Sequence, residues 1–300
     1  MNIAYDLIKS DEIVSIQLDK IHRQAENSAI ITESTKARKN IQLIPKDWVG
    51  TEVRGNLHDF TLECYSDASN TFYRVMEYFS SAIDSIKDIM DLQVIVPTKD
   101  KSAGTWNINT ACQSLYNPPD ESKPELDVYY DKNHSGTLRV GDKVINMENN
   151  YKAETYVGQW EPDTNNDDEE VSPDIVPIYN GSMGIIKAIN IKKRQIVVDF
   201  QGIGNVLIKT EGLKSIQLAY AITCHKIQGS EVPYTIVGMD FSAYVLLTKE
   251  WLYTALTRSS VHCTLVAQNS ALRYAVTQNG VGVKQTHLVQ ALYDLTHPTF

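Results

Sequence analysis

Residue types that seldom share a core strand meet in AYAITCHKIQGSE, Ala219 to Glu231. The first half reads as a strand, with Leu218, Tyr220 and Ile222 alternating with Ala219, Ala221 and Thr223. His225, Lys226, Gln228 and Gly229 follow, and then the acid Glu231. Gly229 and Ser230 permit a tight turn, and backbone N–H groups at such a turn hold a phosphate or ribose oxygen. A plain polar strand-to-helix turn uses the same residue types, so the stretch by itself leaves both readings open. The second candidate is Arg258, in LYTALTRSS. A guanidinium fork matches phosphate oxygens and does not lose its charge. At the end of a helix the same residue also suits the macrodipole.

The usual phosphate cradle does not occur in the sequence. GVKQT, 282–286, has a Gly, a Lys and a Thr without the Gly-x-x-x-x-Gly-Lys-Ser/Thr spacing. The acid run Asp167-Asp168-Glu169-Glu170 follows no apolar strand and reads as a solvated loop. Asp240 ends an apolar strand and reads as a strand-end turn residue. Cys64, Cys112, Cys224 and Cys263 lack paired spacing, which argues against a zinc site or a disulfide framework and predicts reduced, buried thiols. No metal site is predicted.

The 300 residues suggest two domains, and 42% hydrophobic with 22% charged residues fits a globular chain. No apolar run reaches the ~18 residues needed to cross a bilayer, and the N-terminus has no signal pattern, so a cytoplasmic protein is expected. The net charge is −9, but seven acids and no base lie in EPDTNNDDEEVSPD, 161–174. The remainder is close to neutral, and a local basic groove stays compatible with it.

Around these residues the elements alternate. An apolar strand-like run, Ile13 to Leu18, precedes a helix-like segment with Ile21, Ala25, Ala29 and Ile30 at helical spacing. HDFTLECYS reads as a strand. NTFYRVMEYFSSAIDSIKDIM reads as an amphipathic helix whose stripe is Phe72, Val75, Met76, Phe79, Ile83, Ile86 and Met90. LQVIVPT is a continuous apolar run, suited to a strand buried on both faces of a parallel sheet. From about 137 to 215 the texture becomes short strands with Gly and Asn turns, a small all-β unit. SIQLAYAIT and YTIVGMD then read as strands, Thr248 as the cap of the helix KEWLYTALTRSS, CTLVAQ as a third strand and NSALRYAVTQN as a helix. The prediction is one α/β domain, 1–136 and 216–300, interrupted by a β unit, 137–215, with an acidic loop at 161–174.

The motifs resemble the C-terminal motor domain of RecD-like superfamily 1 DNA helicases. AYAITCHKIQGSE resembles that family's motif V, and YTALTR its motif VI. LRVGDKVINMENNY and IYNGSMGIIKAI resemble its inserted Src-homology-type (SH3-like) barrel, VIVPTKDKSAGTWNIN the strand–Pro–Thr–Gly–Asn element before it, and LDKIHRQAENSAII its motif IV. The resemblance covers almost the whole chain, in the family's order.

It implies a RecA-like parallel sheet with helices on both faces. ATP would sit between this domain and an N-terminal RecA-like domain of the same full-length protein. That domain would hold the phosphate loop and most of the contacts to ATP and Mg²⁺, so this portion alone would not hydrolyse ATP. By the resemblance Arg258 and Arg23 approach the γ-phosphate, and Gln24, Gln228, Gly229 and Glu231 lie by the nucleotide. Thr98, Asn107, Thr223, His225 and Lys226 face single-stranded DNA. The resemblance implies 5′-to-3′ movement, roles in recombination or repair with further subunits, and no membrane. Ile227 and His22 depart from the family's pattern. A non-catalytic nucleic-acid-binding or docking module on the same fold is the alternative.

Overall fold

The computed structural model describes residues 27–156, 173–227, 229–280 and 287–297, with scattered positions between 7 and 16. Of the expected strand at 13–18 only Ile13, Val14 and Ile16 are described, and they are exposed and not in a strand; most of the helix-like segment after it, most of the acidic loop and all of GVKQT lie outside the described residues.

The strands before and after the β unit join one six-stranded sheet. In chain order these are β1 (Gly50–Arg54), β2 (Phe60–Tyr65), β3 (Leu92–Val96), β13 (Ala221–Thr223), β14 (Val232–Met239) and β15 (Ser259–Gln268). Their order across the sheet is β1-β2-β15-β14-β3-β13, all parallel except the edge strand β1. The apolar run of β3 is buried along its whole length, and its side chains divide between two layers. Val94 and Val96 pack with Val75 and Phe79 of α2 (Asn70–Ile83) and Ile108 of α3 (Thr105–Tyr116). Ile95 packs on the opposite face, in the cluster of Ile30 from α1 (Ala29–Arg38), Leu252 from α4 (Lys249–Leu256) and Leu272 from α5 (Asn269–Thr277). Period-two alternation between two helix layers is why the run needs no polar face.

The β unit is an antiparallel seven-stranded sheet, β12-β6-β9-β10-β11-β7-β8. It comprises β6 (Lys143–Asn146), β7 (Asn150–Thr155), β8 (Ile175–Ile178), β9 (Met183–Asn190), β10 (Gln195–Phe200), β11 (Gly204–Ile208) and β12 (Ile216–Leu218). A separate hairpin, β4 (Glu125–Tyr129) and β5 (Ser135–Arg139), precedes it. Its Leu126, Val128 and Leu138 enter the core of the β unit beside Val144, Ile186 and Phe200. A last helix, α6 (Leu288–Thr296), follows in the C-terminal segment.

Three elements differ from the sequence reading. The helix from Asn70 stops at Ile83, because Asp88 accepts from Met90 N and starts a separate 3-10 turn at Ile89. The helix capped by Thr248 ends at Leu256, and Ser259 and Ser260 open β15. SIQLAYAIT is two strands in two sheets: Ile216–Leu218 pairs with β6, and Ala221–Thr223 pairs with β3. Between them Tyr220 is fully buried. The buried Gln93 amide donates to the carbonyls of Ala219 (3.0 Å) and Tyr220 (2.9 Å) where the chain changes sheets.

Two adjacent charged residues tie the β unit to the larger sheet. The fully buried Asp142 accepts from Gln113 (2.6 Å), Asn117 (2.8 Å), the Arg139 backbone N–H (2.7 Å) and the Tyr220 hydroxyl (3.0 Å). The fully buried Lys143 donates to the carbonyls of Ile89 (3.2 Å) and Leu92 (2.8 Å). Burial lowers its pKa to about 7, against the opposing pull of Asp88 and Asp91.

Candidate nucleotide edge and nucleic-acid groove

The link from β13 to β14 crosses the sheet. Thr223 pairs with Val96, at the C-terminal end of β3. Tyr234 pairs with Leu92, at the N-terminal end of β3. The link 224–231 must therefore return about 13 Å, four residues at ~3.3 Å each. Buried Cys224 and Ile227 anchor it in the core of α4 and α5. That accounts for Ile227, which departs from the resembled motif: it is a core side chain. Gly229 has φ +89, and a Cβ there would meet nothing within 4 Å. The left-handed backbone, not crowding, selects glycine at this turn.

At the far end of the link Arg258 closes against the turn. It follows the C-cap residue Thr257 of α4 and is 9% exposed. Its Nε donates to the Thr254 carbonyl (3.1 Å), one of the last-turn acceptors of α4, and its Nη1 donates to the Ser230 carbonyl (3.1 Å). The Val232 N–H donates to the Arg258 carbonyl (3.0 Å). Glu231, exposed, is the next residue. Arg258, Gly229 and Glu231 therefore share one edge, at the N-terminal ends of β14 and β15. Arg23, Gln24 and Gln228 lie outside the described residues.

At the near end Thr223 is half-buried and His225 is exposed. The Lys226 ammonium donates to the Asn180 side-chain oxygen (2.5 Å), on the turn before β9. Burial, then the like charge of Lys99, holds the Lys226 pKa below the usual lysine range. Lys99, Thr223 and Lys226 line one groove with Trp106, Tyr130 and Met147. Thr98 opens the neighbouring loop, after β3, and lines a separate small cleft with Thr71 and Asp240.

That loop, 97–104, is tight. A Cβ on Gly104 would come within 2.3 Å of the Lys99 carbonyl oxygen. Asn107 is exposed, and its amide donates back to the carbonyls of Lys101 (3.3 Å) and Ser102 (3.2 Å). The buried amide of this helix is instead Asn109. It donates to the Ala221 carbonyl (2.9 Å) and accepts from the Ala221 N–H (2.7 Å), completing the outer edge of β13. Sequence reasoning missed Asn109, Lys99, Trp106 and Asn180. Helical spacing distinguishes Asn109, which shares the buried stripe of Ile108 and Cys112. No local signal marks Asn180, which reaches Lys226 from another sheet. The four cysteines are free and buried.

Two segments match known families. Residues 218–266 match the UvrD-like helicase C-terminal domain. Residues 108–200 match the SH3 domain of ATP-dependent RecD-like DNA helicases. The chain is similar to the ATP-dependent RecD2 DNA helicase of Deinococcus radiodurans, 29% identical over 170 residues, 56% of this chain and 19% of that protein. It is similar to the RecBCD enzyme subunit RecD of Mycobacterium tuberculosis, 33% identical over 104 residues, 35% of this chain and 18% of that protein. Among solved structures it resembles a Bacteroides Pif1 helicase in complex with ADP-AlF3 and ssDNA, with TM-score 0.45 and 16% identity over 94% of this chain and 57% of that one. The chain thus spans about a fifth of the length of the curated relatives it matches.

A parallel sheet between two helix layers, interrupted by an SH3-like β unit, is the RecA-like fold with an SH3 insertion, and its segments match helicase domains. Within that class the matched segments resemble domains of the RecD-like DNA helicases.

Proposed function

We propose that this chain is the second motor domain of an ATP-dependent DNA helicase, formed by 1–136 and 216–300 around a barrel at 137–215. It supplies the arginine side of an ATP cleft and part of a single-stranded DNA track, with 5′-to-3′ movement and a cytoplasmic setting. The observation that carries this reading is the link 224–231. One end lies against Arg258 at the Ser230 carbonyl, and the other carries Lys226 into the groove beside Lys99. One short segment so placed couples what is bound at one end to what is bound at the other.

The donor set fits a terminal phosphate: a guanidinium and turn amides, with Arg23, Gln24 and Gln228 assigned by the family resemblance. Among the described residues no group of three or more His, Cys, Asp or Glu side chains is placed to hold a metal ion, and by the family resemblance Mg²⁺ is held mainly by a facing RecA-like domain. When bound there, ATP supplies the phosphoryl group whose transfer drives translocation. The residues of this chain bind and orient its outer oxygens and spread charge. On the DNA side, Thr98, Asn107, Thr223, His225 and Lys226 make sequence-independent contacts. Other recombination or repair subunits are partners by analogy with the RecD relatives.

The test is ATP turnover with and without single-stranded DNA. The chain alone is expected to show none. The chain joined to a domain bearing a Gly-x-x-x-x-Gly-Lys-Thr loop is expected to show strand-stimulated turnover. Absence of stimulation in the joined protein would favour a non-catalytic binding module. Lys226→Ala is expected to weaken single-strand binding and reduce its log–log salt slope by about 0.7, the value for one phosphate contact on a single strand. An unchanged slope would show that Lys226 serves only Asn180.

A further inference from the structure

One wall of the groove beside Lys99 and Lys226 is aromatic. Trp106, in the first turn of α3, lines it together with Tyr130 and Gly136 of the hairpin. It is half-buried and outside the stripe of Thr105, Ile108, Asn109 and Cys112 that α3 turns to the core. The Tyr130 ring lies 5.3 Å from it, tilted by 39°. The His134 ring stacks on it at 4.5 Å and 14°.

His134 in turn joins two backbones. Its Nε2 lies 3.0 Å from an Asp100 oxygen, on the loop that carries Lys99. Its Nδ1 lies 2.9 Å from Asp131, at the hairpin tip. The Asp131 carboxylate also accepts the His134 backbone N–H at 2.9 Å. The hairpin tip is thereby fastened to the loop and laid over Trp106.

Lys99 and Lys226 are close enough to depress the Lys226 pKa. Neither makes an ion pair among the described residues. Two cations beside an aromatic wall, without a carboxylate between them, form a site for a base and its flanking phosphates.

We infer that Trp106 stacks on a nucleobase of bound single-stranded DNA, and that His134 is the positioning residue that holds the Trp106 wall in place. This rests on the single-strand groove proposed above. The charged groups facing His134 are Asp131 on its own hairpin and Asp100 on the loop after β3, while Trp106 covers the ring. Both acids favour the imidazolium, Asp131 most strongly, so protonation persists above the usual histidine range. The imidazolium donates to both carboxylates, and the neutral ring keeps one donor. The fastening is therefore complete at low pH and weakens as pH rises through the folded-state pKa.

The experiment is fluorescence anisotropy on the full chain with two DNA probes of equal length, an oligothymidylate and an abasic strand with the same phosphates. The wild-type chain is expected to prefer the oligothymidylate, and more strongly at pH 6 than at pH 8. Trp106→Ala should lose roughly tenfold or more on the oligothymidylate, with abasic binding unchanged. Trp106→Phe should keep most of the preference. His134→Ala should lower the preference and remove its pH dependence. Equal losses on both probes, or a Trp106→Phe chain with no preference, would overturn the inference and leave the groove standing. Wild-type binding to neither probe would overturn the groove itself, and the inference with it.

Discussion

Replacing Arg258 by alanine is expected to lower strand-stimulated ATP turnover by about 10³-fold or more, the scale of a lost arginine finger. Single-strand affinity should hold, because the groove proposed for DNA lies at the other end of the link. The structure sets the controls. Arg258 also bonds the Thr254 and Ser230 carbonyls, so its removal loosens the end of α4 and the turn at Gly229. At about 0.5–1.5 kcal/mol per bond, or up to ~3 for a charged donor, that loss lowers the unfolding midpoint by several degrees without unfolding the domain. Arg258→Lys keeps a charge but loses the planar fork, and should recover stability more than turnover. Turnover measured in the motor completed by its facing domain, beside a melting curve, separates the two roles. Undiminished turnover in Arg258→Ala would remove it from the phosphate.

The second large effect concerns the joint between the sheets. Asp142→Ala is expected to cost about 3–5 kcal/mol, because it leaves donors from Gln113, Asn117, Arg139 and Tyr220 buried without their acceptor. Tyr220→Phe removes one donor and should cost about 1 kcal/mol. A small loss in Asp142→Ala would mean that water enters the joint readily. The neighbouring Lys143 gives the same joint a pH signature. Its pKa is about 7 when folded, against 10.5 for an ordinary exposed lysine. Between those values the unfolded chain binds the proton and the folded one does not, so this residue makes stability rise with pH. Its slope approaches ~1.4 kcal/mol per pH unit. Lys143→Met should flatten that rise, read as denaturant midpoints from pH 7 to 10. A rise identical to the wild type would show that Lys143 is hydrated.

Much of the frame is legible in the chain because it is local. LQVIVPT is apolar at every position of β3 except Gln93, and the structure buries it between two helix layers. Thr248 caps α4 with an oxygen that accepts the Trp251 N–H at 3.1 Å, as its place before an apolar helix predicts. Asp240 turns the end of β14 by accepting from Ser242 N. Errors fell where a local pattern met a distant demand. SIQLAYAIT alternates like one strand, yet Gln93 holds its middle and its halves serve different sheets. The stripe from Asn70 runs on to Met90, yet a side-chain cap at Asp88 divides it.

By itself the sequence determined the element types, the interrupted order of the α/β domain and the two motifs around Gly229 and Arg258. Hydrophobic period, caps and turn residues act between neighbours a few positions apart, so they can be read without coordinates. Only the tertiary structure decided that Arg258 meets Ser230, that Lys226 shares a groove with Lys99, and that His134 covers Trp106. Those meetings depend on strand order and on how the β unit packs, as when Gln93 bonds Tyr220, 127 positions away. Many strand orders satisfy the same local preferences. The one adopted is selected by the sum of buried contacts over the whole core.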